Sequence, residues 1–209
     1  MLAWLEMGNP ARADSGEKVP LPKDLQPIHI QKAAELVDLY FEQANIFSGV
    51  IGVLGAKALD ALSPYKRHKH PDIAQQRFPD LSLGGRLSPP PELALESKGS
   101  IRPWSIQSHY DHPGWYVVWR YLVDPTKTIK SGQAVLIWRG DVVYLSKDDW
   151  KYEGSKAGAA GGGRTHTFGV RQAKKRLAGA VAYTFPGVIL KGGRPVLAAT
   201  GLPITPAPA

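Results

Sequence analysis

Apolar positions along the chain change period twice, dividing it into helical and extended stretches. From Ile28 to Tyr40 the residues Ile30, Ala33, Ala34, Leu36, Val37 and Tyr40 recur at helical spacing, with Lys32, Glu35 and Asp38 toward the other face. A second apolar stretch, Ile46 to Leu62, predicts a buried helix ended by Ser63-Pro64. Its glycines Gly49, Gly52 and Gly55 lower helix propensity, but at spacing three they clear one side for close packing against a sheet.

Beyond the basic run Lys66-Arg67-His68-Lys69-His70 the texture becomes extended. Arg77 to Leu83 predicts a short strand closed by Gly84-Gly85. Ser88-Pro89-Pro90-Pro91 forbids a helix and leads into Glu92 to Lys98, where large apolar residues alternate with charged or small ones. Trp115 to Val123 and Gln133 to Leu145 are rich in β-branched and aromatic residues and predict further strands, the second with a turn at Arg139-Gly140-Asp141. Gly154 to Gly163 reads as a loop, Arg164 to Val170 as a strand and Arg171 to Ala182 as a short basic helix. Residues 1–27 read as an irregular arm and 203–209 as a flexible tail, leaving 28–202 as one domain. Helix, then strands, then helix predicts a mixed α/β layer fold.

Composition narrows the class. At 209 residues and 43% hydrophobic, the chain supports one packed domain and excludes wholesale disorder. With no cysteine, disulfide scaffolds, thiolate zinc sites, iron–sulfur clusters and cysteine nucleophiles are excluded. The opening Met1 to Glu6 has no basic region, and the apolar stretch Leu177 to Leu190 is short and interrupted by Pro186, so no membrane partner and a cytoplasmic protein are expected.

Charge adds a partner. The net charge is +8, yet all 18 acids lie at or before Glu153, so the excess sits on Lys156, Arg164, Arg171, Lys174, Lys175, Arg176, Lys191 and Arg194. Such segregation suits a polyanion, because each basic group facing a phosphate releases a condensed counterion. The candidate DNA contacts are Lys66, Arg67 and Lys69 in the first basic run and Arg164, His166, Arg171, Lys174, Lys175 and Arg176 in the last third. Alternation puts Arg164, His166 and Phe168 on one face of their strand. A solvated basic face is the plainer alternative.

The candidate chemistry lies at Pro79-Asp80 and, sixteen positions after the aspartate, Glu96-Ser97-Lys98. In a strand Glu96 and Lys98 share one face while Leu93, Leu95 and Ser97 point to the other. Asp80 on a neighbouring strand reaches the same spot, and two converging carboxylates call for a hard cation such as Mg²⁺ or Mn²⁺. A lysine beside that cation completes what phosphodiester hydrolysis requires. The competing reading is a same-face ion pair of little energetic weight. A second acid-x-Lys triplet, Asp149-Trp150-Lys151, follows Ser146-Lys147-Asp148 and reads as a capped helix start or loop. His109, Asp111 and His112 read as a polar loop before Pro113-Gly114 rather than a metal site, and Trp104 is the one tryptophan singled out as a possible base-stacking exception.

Together Pro79-Asp80 and Glu96-Ser97-Lys98 resemble the signature of the PD-(D/E)XK nuclease superfamily, which includes many type II restriction endonucleases; the resemblance covers residues 46–145. It implies that Asp80 and Glu96, with the main-chain carbonyl of Ser97, hold the metal and that Lys98 is the catalytic lysine. It further implies a restriction-endonuclease-like core: a central mixed sheet of four to five strands flanked by helices. Glu35, Glu42 and Asp60 are candidates for a further acid, and Asp72, after Pro71, is the alternative metal aspartate. The expected activity is Mg²⁺-dependent, sequence-specific cleavage of double-stranded DNA by a homodimer, as in a type II restriction enzyme. The alternatives are a repair or junction-resolving nuclease of the same superfamily and a non-catalytic DNA-binding protein.

Overall fold

A computed structural model of the chain describes residues 44–70, 72–73, 77–124, 127, 129–131, 133–156 and 165–204. The arm 1–27, the helix read over Ile28 to Tyr40, Glu35, Glu42, Arg164 and most of the tail lie outside the described residues.

Helix α1 spans Ala44–Leu62. Ser63 ends it: its N–H and hydroxyl donate to Leu59 O at 2.9 and 2.7 Å, and Pro64 has no N–H with which to continue. Then come β1 (Tyr65–Lys66), β2 (Leu81–Leu83), β3 (Ala94–Ser100), β4 (Gln107–Ser108), β5 (Gly114–Val123) and β6 (Val135–Leu145). They are followed by β7 (Trp150–Lys156), β8 (Thr165–Val170), helix α2 (Ala173–Ala178), β9 (Val181–Thr184), β10 (Val188–Lys191) and β11 (Arg194–Leu197).

Among the described residues the main sheet has six strands in the order β1-β2-β3-β5-β6-β9. It is mixed: β3 and β5 run parallel, and the other pairs are antiparallel. Residue alternation gives it two different faces. On one, Leu95 and Val117 pack with Ala56 and Leu81, and Phe47 and Ile51 of α1 pack with Tyr121, Val123, Val135 and Ile137. On the other, Tyr116, Val118, Val143 and Leu145 meet Ile106, Trp150 and Leu177. Each such side chain contributes about 1.5–3 kcal/mol on leaving water.

The architecture is α/β, as the patterning predicts, with differences that have local causes. The sheet has six strands rather than four or five. Helices do not flank it evenly: α1 covers one face, whereas the other is covered by a three-stranded sheet, β4-β8-β7, with the six-residue α2. Trp150, Phe168 and Val170 on that small sheet supply the apolar cover expected from a helix. The basic helix read over Arg171 to Ala182 stops at Ala178, and Val181 to Thr184 pair with β6 instead.

The strand expected from Arg77 begins only at Leu81, because Pro79 offers no N–H and the Asp80 N–H turns to a carboxylate. Pro91–Leu93 form a 3-10 turn, so the next strand starts at Ala94 rather than Glu92. Arg139-Gly140-Asp141 is no turn; it runs through the middle of β6, its two charges buried in an ion cluster with Arg120. Ser146 caps a 3-10 turn at Lys147–Asp149, which makes Asp149-Trp150-Lys151 a turn entering a strand. Among the described residues no helix is long and apolar enough to cross a membrane.

Candidate active site

The hairpin of β2 and β3 brings the two halves of the motif together. Leu81 lies opposite Leu95 in an antiparallel pair, which sets Asp80, one residue before β2, beside Glu96 and Ser97. The two segments exchange hydrogen bonds: Asp80 N–H donates to Glu96 Oε2 at 3.1 Å, and Ser97 N–H donates to Asp80 Oδ2 at 2.9 Å. Lys98 Nζ lies 2.7 Å from Glu96 Oε1, with 28% of its side chain exposed against 10% for Glu96. The three side chains therefore share one spot on the sheet face away from α1, with the lysine nearest to solvent.

Ser97 faces the other way, as strand alternation requires. Its hydroxyl donates to Gly52 O at 2.7 Å and accepts the Trp119 indole N–H at 2.9 Å. A Cβ on Gly52 would lie 2.9 Å from Ser97 O, so the helix can rest on the strand only because glycine stands there. Gly55 meets Trp119 in the same way, whereas a Cβ on Gly49 would face open space. Two of the three spaced glycines, not all three, make the close approach.

Charge at this spot is out of balance. Burial, and then the negative charge of Glu96, push the Asp80 carboxyl up to about 7 from its ordinary 3.8, against the opposing pull of the Ser97 N–H, Lys98 and Arg67. Tyr116, opposite Glu96 on β5, donates its hydroxyl to His112 O at 2.9 Å. Burial, followed by the charges of Glu96, Asp111 and Asp80, raises its phenol well above the usual range, so it stays a neutral donor.

Two crowded carboxylates, one of them held far from its ordinary ionisation, are a donor set that fits a hard divalent cation. Among the described residues no group of three or more His, Asp or Glu side chains is placed to hold a metal. Two carboxylates, with water filling the rest of the shell, suit Mg²⁺, which keeps several of its waters.

The remaining sequence candidates fall in different places. Asp72 sits exposed in a turn, its N–H on His70 Nδ1. Asp60 accepts the Arg67 N–H at 2.8 Å, and Lys66 Nζ bonds Asp60 O. Arg67 acts on Asp80 through its charge. Lys69, Lys174 and Lys175 are exposed. Arg171 donates to Trp150 O at 2.9 Å, and Arg176 pairs with Asp149, so both brace the start of β7. His166 is exposed, its Nδ1 3.1 Å from the Tyr152 hydroxyl. His109, Asp111 and His112 do form a loop, in which Asp111 pairs with Lys147 at 3.8 Å. Trp104 lies 4.4 Å over the Arg139 guanidinium, a packing role rather than a free stacking surface.

Sequence reasoning missed Tyr116 and the ion cluster of Arg120, Arg139 and Asp141. Arg120 Nε donates to Asp141 Oδ2 at 2.8 Å and Arg139 Nη2 to the same oxygen at 3.0 Å. Burial lowers Arg120 to about 10, with Asp141 opposing, so it stays charged. The two guanidiniums also bond the carbonyls of Arg102, Pro103 and Ser105, pinning the chain that leaves β3 just after Lys98. The available signal was a lone arginine in the otherwise apolar run Trp115 to Val123. Comparison with protein-family models, with curated proteins and with solved structures finds no match for this chain.

Proposed function

We propose that this chain is a Mg²⁺-dependent endodeoxyribonuclease whose active centre is Asp80, Glu96 and Lys98. The observation that carries the reading is the meeting of these three side chains across one hairpin, with Asp80 bonded to Ser97 and the Asp80 N–H to Glu96. Behind them stands the mixed sheet of an α/β fold.

Asp80 and Glu96 would hold the Mg²⁺, with Mn²⁺ as a substitute. When bound, the cation polarises the scissile phosphate and lowers the pKa of a coordinated water. Lys98, kept beside Glu96, orients the attacking water or takes its proton. Ser97, tied to the helix and to Trp119, fixes the strand between its two reactive neighbours. The acid-free stretch after Glu153 draws the polyanion toward the protein.

Two forms of the reading differ in substrate. A type II restriction enzyme would act as a homodimer on palindromic duplex DNA, placing one site on each strand. A repair or junction-resolving nuclease is favoured by exposed aromatic rings, Tyr152 and, at the end of a ring column from Phe78, Tyr110. Incubating supercoiled plasmid with Mg²⁺ and either wild type or Lys98→Ala tests the reading. Discrete fragments from the wild type support restriction, and nicking supports repair. Equal behaviour of the two proteins contradicts catalysis at this site and leaves a DNA-binding protein.

A further inference from the structure

A column of rings starts two residues from Asp80 and runs out to solvent. Phe78 stacks on the His112 imidazole with ring centres 4.4 Å apart and planes 25° apart. His112 in turn lies 5.2 Å from Tyr110, tilted by 34°. Tyr110 ends the column and is 63% exposed. A second group stands next to it on the β7–β8 hairpin. Tyr152, 52% exposed, lies 5.8 Å from the His166 ring. The two groups are tied together, since His109 Nδ1 lies 3.2 Å from the His166 carbonyl.

Folding accounts for the outer rings only in part: Tyr152 meets Phe168 edge-on at 5.4 Å and its hydroxyl lies 3.1 Å from His166 Nδ1. A buried tyrosine contributes its area to the core, whereas more than half the surface of Tyr110 and of Tyr152 remains in water. Nor does the arrangement suit the backbone of an intact duplex, whose bases are stacked inside. Exposed aromatic faces suit bases that have left the helix, because every base has a face on which a ring can stack. Locally the charges balance, Lys147 pairing with Asp111 and Glu153 standing next to Tyr152 on β7, so the rings rather than charge define the surface; the sequence carries no acid after Glu153.

We infer that Tyr110, Tyr152 and His166 form a stacking platform for an unpaired DNA strand, which leads that strand toward Asp80 and Glu96. The inference rests on the nuclease reading for what happens at the carboxylates, but not for the binding. It selects, among nuclease substrates, DNA that is single-stranded or frayed next to the cut.

The platform is testable without cleavage, by fluorescence anisotropy in EDTA with labelled oligothymidylate, a blunt duplex and oligouridylate. The full-length protein should bind oligothymidylate about tenfold more tightly than the duplex at the same salt concentration, the gain expected from one or two stacked bases. Tyr110→Ala and Tyr152→Ala should each lose about fivefold or more on the single strand and about twofold or less on the duplex. Tyr110→Phe and Tyr152→Phe, which keep the ring, should retain wild-type affinity, and unchanged melting curves would show that all four variants fold. Equal or tighter duplex binding overturns the platform, as does insensitivity to the alanine changes, phenylalanine variants as weak as the alanine ones, or binding of oligouridylate alone. A ring-dependent grip on oligothymidylate by a protein that cuts nothing in Mg²⁺ would support the platform while removing the nuclease reading. Cleavage indifferent to the rings would do the reverse.

Discussion

Asp80 is held in a state that its surroundings disfavour. Burial and the charge of Glu96 both oppose its ionisation, so without a cation the site costs the fold stability. Asp80→Asn keeps an oxygen to accept the Ser97 N–H while removing the charge. In metal-free buffer at neutral pH the variant should melt about 2–4 °C higher than wild type, the shift that about 1 kcal/mol produces in a domain of this size, and it should lose cleavage. A drop in melting temperature would mean that the carboxylate is structural. Asp149 shows the opposite balance. Burial alone would raise its pKa, but the Ser146 N–H and hydroxyl, both at 2.8 Å from Oδ2, and then Arg176, hold it below 3.8. A carboxyl depressed by folding stabilises the protein above its unfolded pKa, and the contribution fades as pH falls through the folded value. Asp149→Asn should therefore be less stable by about 1 kcal/mol at pH 7, and urea melts should show its deficit shrinking as the pH drops below 3.8.

At the scale of elements, α1 and β3 touch through glycine. A Cβ on Gly55 would come 1.8 Å from Trp119 Nε1, the indole that also bonds Ser97 between the two reactive residues. Gly55→Ala should destabilise the protein by about 1–3 kcal/mol through overpacking. Gly49→Ala, with nothing within 4 Å of the new methyl, should instead stabilise it by about 0.5–1 kcal/mol, both effects read from urea unfolding. The reverse order would mean that the helix does not lie on the strand in this way. These elements were legible where a single period controls the residues: the apolar run to Leu62, the alternation through Lys98 and the aromatic strand from Trp115. They were illegible where tertiary partners decide. Nothing local shows that Arg139 and Asp141 belong inside a strand, because the reason is Arg120 on the neighbouring one. The end of α2 at Ala178 did carry a local signal, the capping Gly179, and the residues beyond it are taken by the edge of the main sheet.

Over the whole molecule, what could be read was the pairing of Asp80 with Glu96, because a hairpin joins residues close in sequence. The parallel pairing of β3 with β5 could not, since it depends on the crossover through residues 101–113. The aromatic column and the rings beside it share that obstacle: Phe78, Tyr110 and Tyr152 come from three distant segments and share a pattern only in space. The basic last third was visible as a composition, but its division between bracing groups such as Arg171 and exposed ones such as Lys174 required the fold. The nuclease reading stands only if the two carboxylates at the hairpin act on a phosphodiester. The most direct test compares Mg²⁺-dependent DNA cleavage by Asp80→Asn and Asp72→Asn, both shown to be folded. The account predicts an inert Asp80→Asn and an Asp72→Asn as active as the wild type; an active Asp80→Asn, or a wild type that leaves DNA intact with Mg²⁺, would contradict it.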